Sequence, residues 1–176
     1  MTRIDELPST RPGGWDDPAA PPLPAPLELY AATVGRDWVD YNQHMSEWCY
    51  LLVMGDSSDT FFRYVGIDDE YRASGRSLYT VETHIRNLAE TSEGDELRLS
   101  LRVLDADAKR VRILHEVWHG TTLAATGEQM LLHVDAVAGR TAPMPAELQR
   151  RMRLLAAAHR TLPVPEYVGR PIAMKG

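Results

Sequence analysis

The sequence predicts an α+β domain in which an antiparallel sheet of about five strands wraps around one long central helix. Three observations carry this. Residues 46–64 run without a proline, and from Trp48 to Met54 they are apolar nearly all round, the pattern of a helix buried on most sides. Leu97, Leu99, Leu101 and Val103 alternate with Arg98, Ser100 and Arg102, and Val111, Ile113, His115 and Val117 alternate in the same way, a period of two. Short turns at Glu93-Gly94-Asp95, Asp105 to Ala108 and Gly120-Thr121-Thr122 join these runs. They suit antiparallel neighbours, because parallel ones need long crossovers.

Taken in order, residues 1–26 are rich in proline (Pro8, Pro12, Pro18, Pro21, Pro22, Pro24, Pro26) and read as a loose arm. Residues 27–145 read as the folded domain. Leu27 to Trp38 is a first strand. The helix follows, with Ser46 as N-cap, its hydroxyl accepting from a free amide, Glu47 favouring the positive end of the dipole, and Gly66 as the C′ residue. Ser46 to Tyr64 would span roughly 28 Å. Gly66 to Gly75 reads as a polar loop, and Ser77 to Leu88 as a second strand, β-branched in content. The two alternating runs are the third and fourth strands, and Leu123 to Val134 is the fifth. After a break at Gly139 to Pro145, residues 146–176 hold a peripheral helix, Pro145 to Ala158 with proline in its first turn, and an extended tail.

Composition bounds the function. At 176 residues and 44% hydrophobic, one core in one domain is expected. A net charge of −6 argues against binding nucleic acid through bulk charge. Cys49 is the only cysteine, so neither an intramolecular disulfide nor a thiolate zinc site is expected. No apolar run reaches membrane-spanning length and no hydrophobic signal core opens the chain, so a soluble, cytoplasmic protein is expected.

The chemistry concentrates in the segment D-Y-N-Q-H-M just before the long helix. Asp40 can activate water or attack a carbonyl directly. Amides at the helix start, from Met45, Ser46, Glu47 and Trp48, can hold a developing oxyanion. Asn42 and His44 can orient the water or the carbonyl oxygen. The bland alternative is an Asx turn that merely introduces the helix.

That segment resembles the active-site segment of hot-dog fold thioesterases. In the 4-hydroxybenzoyl-CoA thioesterase branch an Asp lies before the helix in a D-x-x-G pattern. It maps onto Asp40, with Gln43 standing where that pattern has glycine. Plant acyl-ACP thioesterases read D-x-N-Q-H-V-N-N, which Asp40, Asn42, Gln43 and His44 all match. The segments Y-T-V-E-T-H-I-R-N-L, G-D-E-L and E-Q-M-L-L-H-V-D are similar to thioesterases of carnitine degradation that hydrolyse betainyl-CoA. The resemblance covers residues 27–145. It implies an acyl-CoA thioesterase, a hydrolase with no cofactor, since CoA is part of the substrate, and a homodimer or homotetramer with the pocket at an interface. It also implies a second acidic residue near the second strand, for which Glu82 and Glu90 both qualify. Trp38, Tyr41, Trp48 and Tyr79 are candidates for the acyl pocket, where faces of aromatic rings could hold a quaternary ammonium with Glu82 or Glu47 as the anion. Core packing is the ordinary role of such rings. Arg98, Arg102, Lys109, Arg110 and Arg112 could meet CoA phosphates. Dehydratases of this fold, and a non-catalytic acyl-CoA-binding module, are the alternatives.

Three rival motifs lose. H-E-V-W-H at His115 to His119 matches a zinc-protease pattern, but that pattern requires a helix. On a strand the two histidines stand about 13 Å apart, too far to share a zinc ion, so no metal is expected. V-M-G-D-S-S resembles the nucleophile block of GDSL-type hydrolases, but the D-x-x-H partner is missing, and Ser57 and Ser58 read as the polar face of the helix. Cys49 beside His44 reads as a small buried hydrophobe rather than a nucleophile.

Overall fold

The computed structural model describes residues 14–17 and 19–174. The expectation of a loose proline-rich arm falls largely on residues 1–13 and 18, outside that range. Trp15, within the described part, packs edge-on against Tyr64 with ring centroids 5.7 Å apart.

The strands are β1 (Leu27–Thr33), β2 (Arg76–Asn87), β3 (Glu96–Ala106), β4 (Arg110–His119), β5 (Thr122–Asp135) and the short β6 (Arg140–Thr141). The helices are α1 (Glu47–Val65), α2 (Asp69–Ala73) and α3 (Ala146–His159). All pairings are antiparallel in the order β1-β3-β4-β5-β2, with β6 added to β5. The five expected strands and the central helix are present, and β6 makes a sixth strand.

The alternation read in the sequence sets the two faces of the sheet. Leu97, Leu99, Leu101 and Val103 of β3 and Val111, Ile113 and Val117 of β4 are buried beneath α1. From the helix, Cys49, Tyr50, Val53, Met54, Phe61 and Val65 meet them. Gly127 lets the helix lie this close, since a β-carbon there would run into the Met54 sulfur. Gly66 ends α1 in the left-handed region at φ 96°, its amide returning to the Arg63 carbonyl at 3.0 Å.

Several expectations need correction. The first strand stops at Thr33, and Arg36–Trp38 is a 3-10 turn. The polar loop after α1 contains α2, which Asp68 caps by accepting from the Tyr71 amide at 2.8 Å. Ser46 is the N-cap of α1 by position, but its hydroxyl accepts no capping bond. Pro145 stands at the N-cap of α3 rather than in its first turn. The long helix is buried on most sides, but a stripe at Glu47, Trp48, Leu51 and Gly55 faces outward. Helix α3 inserts Leu148, Met152, Leu155 and Ala156 into the core that α1 and β3 share. Beyond it the tail crosses the outer face of the sheet, where Tyr167 Oη donates to Glu116 Oε1 at 2.5 Å and the Gly169 amide to Glu128 Oε2 at 2.7 Å.

The serines of V-M-G-D-S-S are also corrected. Ser57 and Ser58 lie on the buried face of α1. Ser58 Oγ donates to Gln129 Oε1 at 3.3 Å and lies 3.1 Å from His115 Nε2. His115 is fully buried and its Nδ1 has no partner. Burial opposes the charged ring and pushes its pKa down to about 4.

A histidine depressed in the folded state makes folding weaker in acid. The unfolded chain takes up a proton below about pH 6.5 that the folded core refuses until about pH 4. About 3 kcal/mol of stability should therefore disappear across that window, and no more from this group below it. Urea unfolding of the wild type and His115→Leu at pH 7, 5.5 and 4 checks this. The variant should lose markedly less stability between pH 7 and pH 4.

Candidate functional site at the start of the long helix

Asp40 to His44 makes a tight reversal into α1. The Asp40 amide donates to the His44 carbonyl at 2.9 Å, the Gln43 amide donates to the Asp40 carbonyl at 3.0 Å, and Val39 bridges Met45. Asp40 Oδ1 accepts from the Asn42 amide at 2.7 Å, which is an Asx turn. Gln43 sits at φ 66°, the only described residue other than glycine with positive φ. This is the position where the related D-x-x-G pattern carries glycine. Gln43 thus holds a left-handed backbone that side chains ordinarily resist and glycine adopts freely.

The next four amides divide in two. Met45 N donates to the Thr91 carbonyl at 2.7 Å and Ser46 N to the Trp38 carbonyl at 2.8 Å. Of the expected oxyanion donors, Met45 and Ser46 are therefore already engaged. The amides of Glu47 and Trp48 have no acceptor in the protein and point out of the first turn of α1, as unsatisfied helix-start amides do.

A cleft of about 240 Å³ opens at this end of the helix, lined by Met45, Glu47, Tyr50, Asn87, Leu88, Ala89 and Glu90. Its far wall is the end of β2 and the loop after it. His44 Nε2 lies 3.4 Å from Glu90 Oε2 at the rim, both groups partly exposed. Of the two acidic candidates, Glu90 stands at the cleft. Glu82 lies instead on the outer face, lining a separate depression with His84, Arg112 and the tail residues Gly169 to Ile172. Sequence reasoning listed Glu90 only as an alternative and missed Tyr50 and Thr91. The signal available was the loop A-E-T between the second and third strands, which any hairpin reading leaves at the helix mouth.

The expected aromatic pocket is not assembled within one chain. Trp38 is buried in the core, its carbonyl taken by Ser46 and by the Cys49 thiol at 3.6 Å. Tyr41 is 90% exposed, Trp48 56% and Tyr79 51%, and none of them lines the cleft. Burial, with Asp37 nearby, pushes the Cys49 thiol up to about 11, so it is a protonated core group and no nucleophile. The arginines proposed for phosphates are engaged elsewhere. Arg98 pairs with Glu28, Arg102 with Glu116, Arg110 with Asp107 and Arg112 with Glu128. H-E-V-W-H is strand, as expected, and among the described residues no cluster of His, Cys, Asp and Glu is arranged to hold a metal. No described helix is long and apolar enough to cross a membrane.

A curled antiparallel sheet around one helix, with a carboxylate-bearing turn and free amides at the helix start, is the architecture of a hot-dog fold acyl-thioester protein. The chain belongs to the thioesterase-like superfamily, whose model matches residues 34–152. It is 48% identical over 146 residues to an L-carnitine dehydrogenase/betainyl-CoA thioesterase of Agrobacterium fabrum, an alignment covering 82% of this chain. The chain spans only 30% of that longer relative. It is 42% identical over 152 residues to a betainyl-CoA thioesterase of Pseudomonas aeruginosa, covering 84% of this chain and 95% of that one. A Pseudomonas putida crystal structure matches with TM-score 0.76 at 33% identity, over 88% of this chain and 99% of that one. A Staphylococcus aureus protein solved with CoA shares the fold, with TM-score 0.79 at 24% identity, over 87% and 99%.

Proposed function

We propose that this chain hydrolyses a small acyl-CoA, betainyl-CoA in the first instance, to the free acid and CoA. The observation that carries the reading is the pair of unsatisfied amides, Glu47 and Trp48, at the helix start that follows the Asp40 turn, with Glu47 lining the adjoining cleft. The relative of nearly equal length supports the substrate by its name. Asp40 takes a proton from water as the water oxygen bonds to the thioester carbon, and the two amides hold the oxygen that becomes negative. The C–S bond then breaks, and the proton passes to the departing CoA sulfur. Direct attack by the Asp40 carboxylate, with water resolving the resulting anhydride, uses the same groups. His44 and Asn42 orient the water. Neither route calls on a cofactor, and a substrate built on CoA fits a cytoplasmic protein.

The acyl end would meet Glu47 and Glu90, two carboxylates with no lysine or arginine among the residues that line the cleft, a surrounding that favours a quaternary ammonium over an anionic acyl group. Aromatic faces would come from a second copy of the chain. Strand β2 is a 12-residue edge, with Tyr79, Val81 and Leu88 exposed beside it and Trp48 and Leu51 exposed on α1. Such an edge invites a partner strand. Antiparallel pairing of two β2 strands about their midpoint lays the Tyr79 end of one alongside the Asn87 end of the other, next to the cleft.

Three outcomes are expected. Asp40→Asn keeps the acceptor for the Asn42 amide but removes the base, so kcat should fall at least ~10²-fold with the melting temperature unchanged. Turnover near that of the wild type would remove Asp40 from the mechanism. With 3,3-dimethylbutyryl-CoA, which has the shape of the betainyl group without its charge, kcat/KM should be lower by roughly tenfold, about 1.4 kcal/mol. Equal rates would leave a generic short-chain thioesterase. Light scattering should show a dimer or larger, and Val81→Lys, which places a charge on the β2 edge, should shift it toward monomer and lower activity in parallel. A monomeric wild type that turns over acyl-CoA would defeat the interface reading.

A further inference from the structure

The two walls of the cleft belong to different parts of the chain, α1 on one side and residues 87–90 on the other, and a small buried set of polar bonds ties them together. Thr91 is 1% exposed. Its carbonyl accepts from the Met45 amide at 2.7 Å, and its hydroxyl lies 3.0 Å from Tyr50 Oη. The Tyr50 phenol, buried in the first turns of α1, also reaches the Ala89 carbonyl at 3.3 Å. The Thr91 hydroxyl proton is directed at Met45 Sδ, 3.4 Å away. Burial raises the Tyr50 pKa, so the phenol remains a donor at neutral pH.

On the core side the surroundings are apolar, while Glu47, Asn87 and Glu90 share the cleft with Tyr50. Tyr50 and Met45 pack with Val34, Trp38, Cys49, Val53, Leu97 and Leu99. A phenylalanine over a valine would fill the same volume without desolvating two hydroxyls, so stability alone does not call for this pair. What a hydrogen-bonded pair adds is a fixed distance and direction. Reactions held in a near-attack geometry are sensitive to that, and a misplacement of about 1 Å can cost about 10²-fold.

We propose that Tyr50 and Thr91 are a positioning pair. They set the separation between the start of α1, with Glu47, on one wall and Glu90 with its His44 contact on the other. Both act through other residues. The Thr91 backbone carbonyl holds the Met45 amide where α1 begins while its hydroxyl holds Tyr50, and Tyr50 acts through Ala89, which fixes where Glu90 sits. The proposal rests on reading the cleft as the thioesterase site.

The test uses the full chain with Tyr50→Phe, Thr91→Val, the double variant and Thr91→Ser. The measurements are the melting temperature, kcat and KM for an acyl-CoA, and hydrogen exchange at the Met45 amide. Tyr50→Phe and Thr91→Val should each lower kcat about tenfold with KM within twofold, in protein that is fully folded at the assay temperature. The double variant should be no worse than about twofold below either single one, because one device is removed twice. Thr91→Ser, which keeps the hydroxyl, should stay within twofold of wild type. Thr91→Val keeps the carbonyl to which Met45 N donates but releases the segment that carries it from Tyr50, so exchange of the Met45 amide should quicken about tenfold. Folded variants with kcat within twofold of wild type, or losses that multiply in the double variant, overturn the pair. So does a kcat loss that only follows the unfolded fraction. A wild-type protein that hydrolyses no thioester overturns the functional reading instead, and unchanged exchange in Thr91→Val then overturns the clamp by itself.

Discussion

The site depends on how the backbone amides at the entry to α1 are shared out. A helix begins with amides that have no partner inside it, and a buried helix start normally finds acceptors for them. Here the first two amides of the approach are taken by carbonyls from opposite sides, Thr91 from the β2–β3 connection and Trp38 from the 3-10 turn. Those two bonds fix the direction in which the helix sets out. The next two amides, of Glu47 and Trp48, are left without an acceptor in the protein, and Glu47 lines the cleft. Shifting the helix start by one residue would hand one of these free amides to a structural carbonyl. The Asx turn at Asp40 and the left-handed Gln43 keep the register of this entry.

Further along the same helix, polar groups serve a different end. The contact of Ser58 with His115 and Gln129 ties the middle of α1 to the centre of the sheet, where Leu99, Ile113 and Leu131 otherwise surround it. His115 must remain neutral to stay there, so the folded ring keeps this bond down to about pH 4, while the stability of the fold begins to fall once the unfolded ring can charge. On the opposite face of the sheet, buried Glu116 is met by Ser100 Oγ at 2.9 Å, Tyr167 and Arg102, and the C-terminal tail is fastened through it. A buried carboxylate is tolerated when several donors meet it together. Both arrangements lie away from the cleft and hold its scaffold.

The sheet was legible in the sequence because its strands alternate, and Leu97 to Val103 alone fixes which face of β3 is buried. The position of α1 was legible from its uninterrupted run and from Gly66. Its exposed side was not, since Trp48 and Leu51 are as apolar as the residues that pack. Ser57 and Ser58 were misread for the converse reason: a serine declares polarity, whereas its burial depended on His115 and Gln129 arriving from β4 and β5. The turn D-Y-N-Q-H was legible as a turn that leads into α1, because Asx residues favour such reversals. Glu90 was named beside Glu82 without a choice between them and Thr91 was not named, because their positions arise from a hairpin connection that returns to the helix mouth, a long-range closeness no local pattern contains.

The distribution of charge follows from the same geometry. The outer face of the sheet is where the arginines cluster, but each of Arg98, Arg102, Arg110 and Arg112 already faces a carboxylate. Drawing one away to a phosphate would leave its partner uncompensated, a severe loss for buried Glu116 and a smaller one for the exposed Glu28. The cleft itself carries Glu47 and Glu90. Under the proposed function a CoA thioester would keep its phosphates away from those carboxylates and turn its acyl group toward them. A cationic acyl group would gain from Glu47 and Glu90 what an uncharged one would not, so on that reading the two carboxylates would select what the thioester carries.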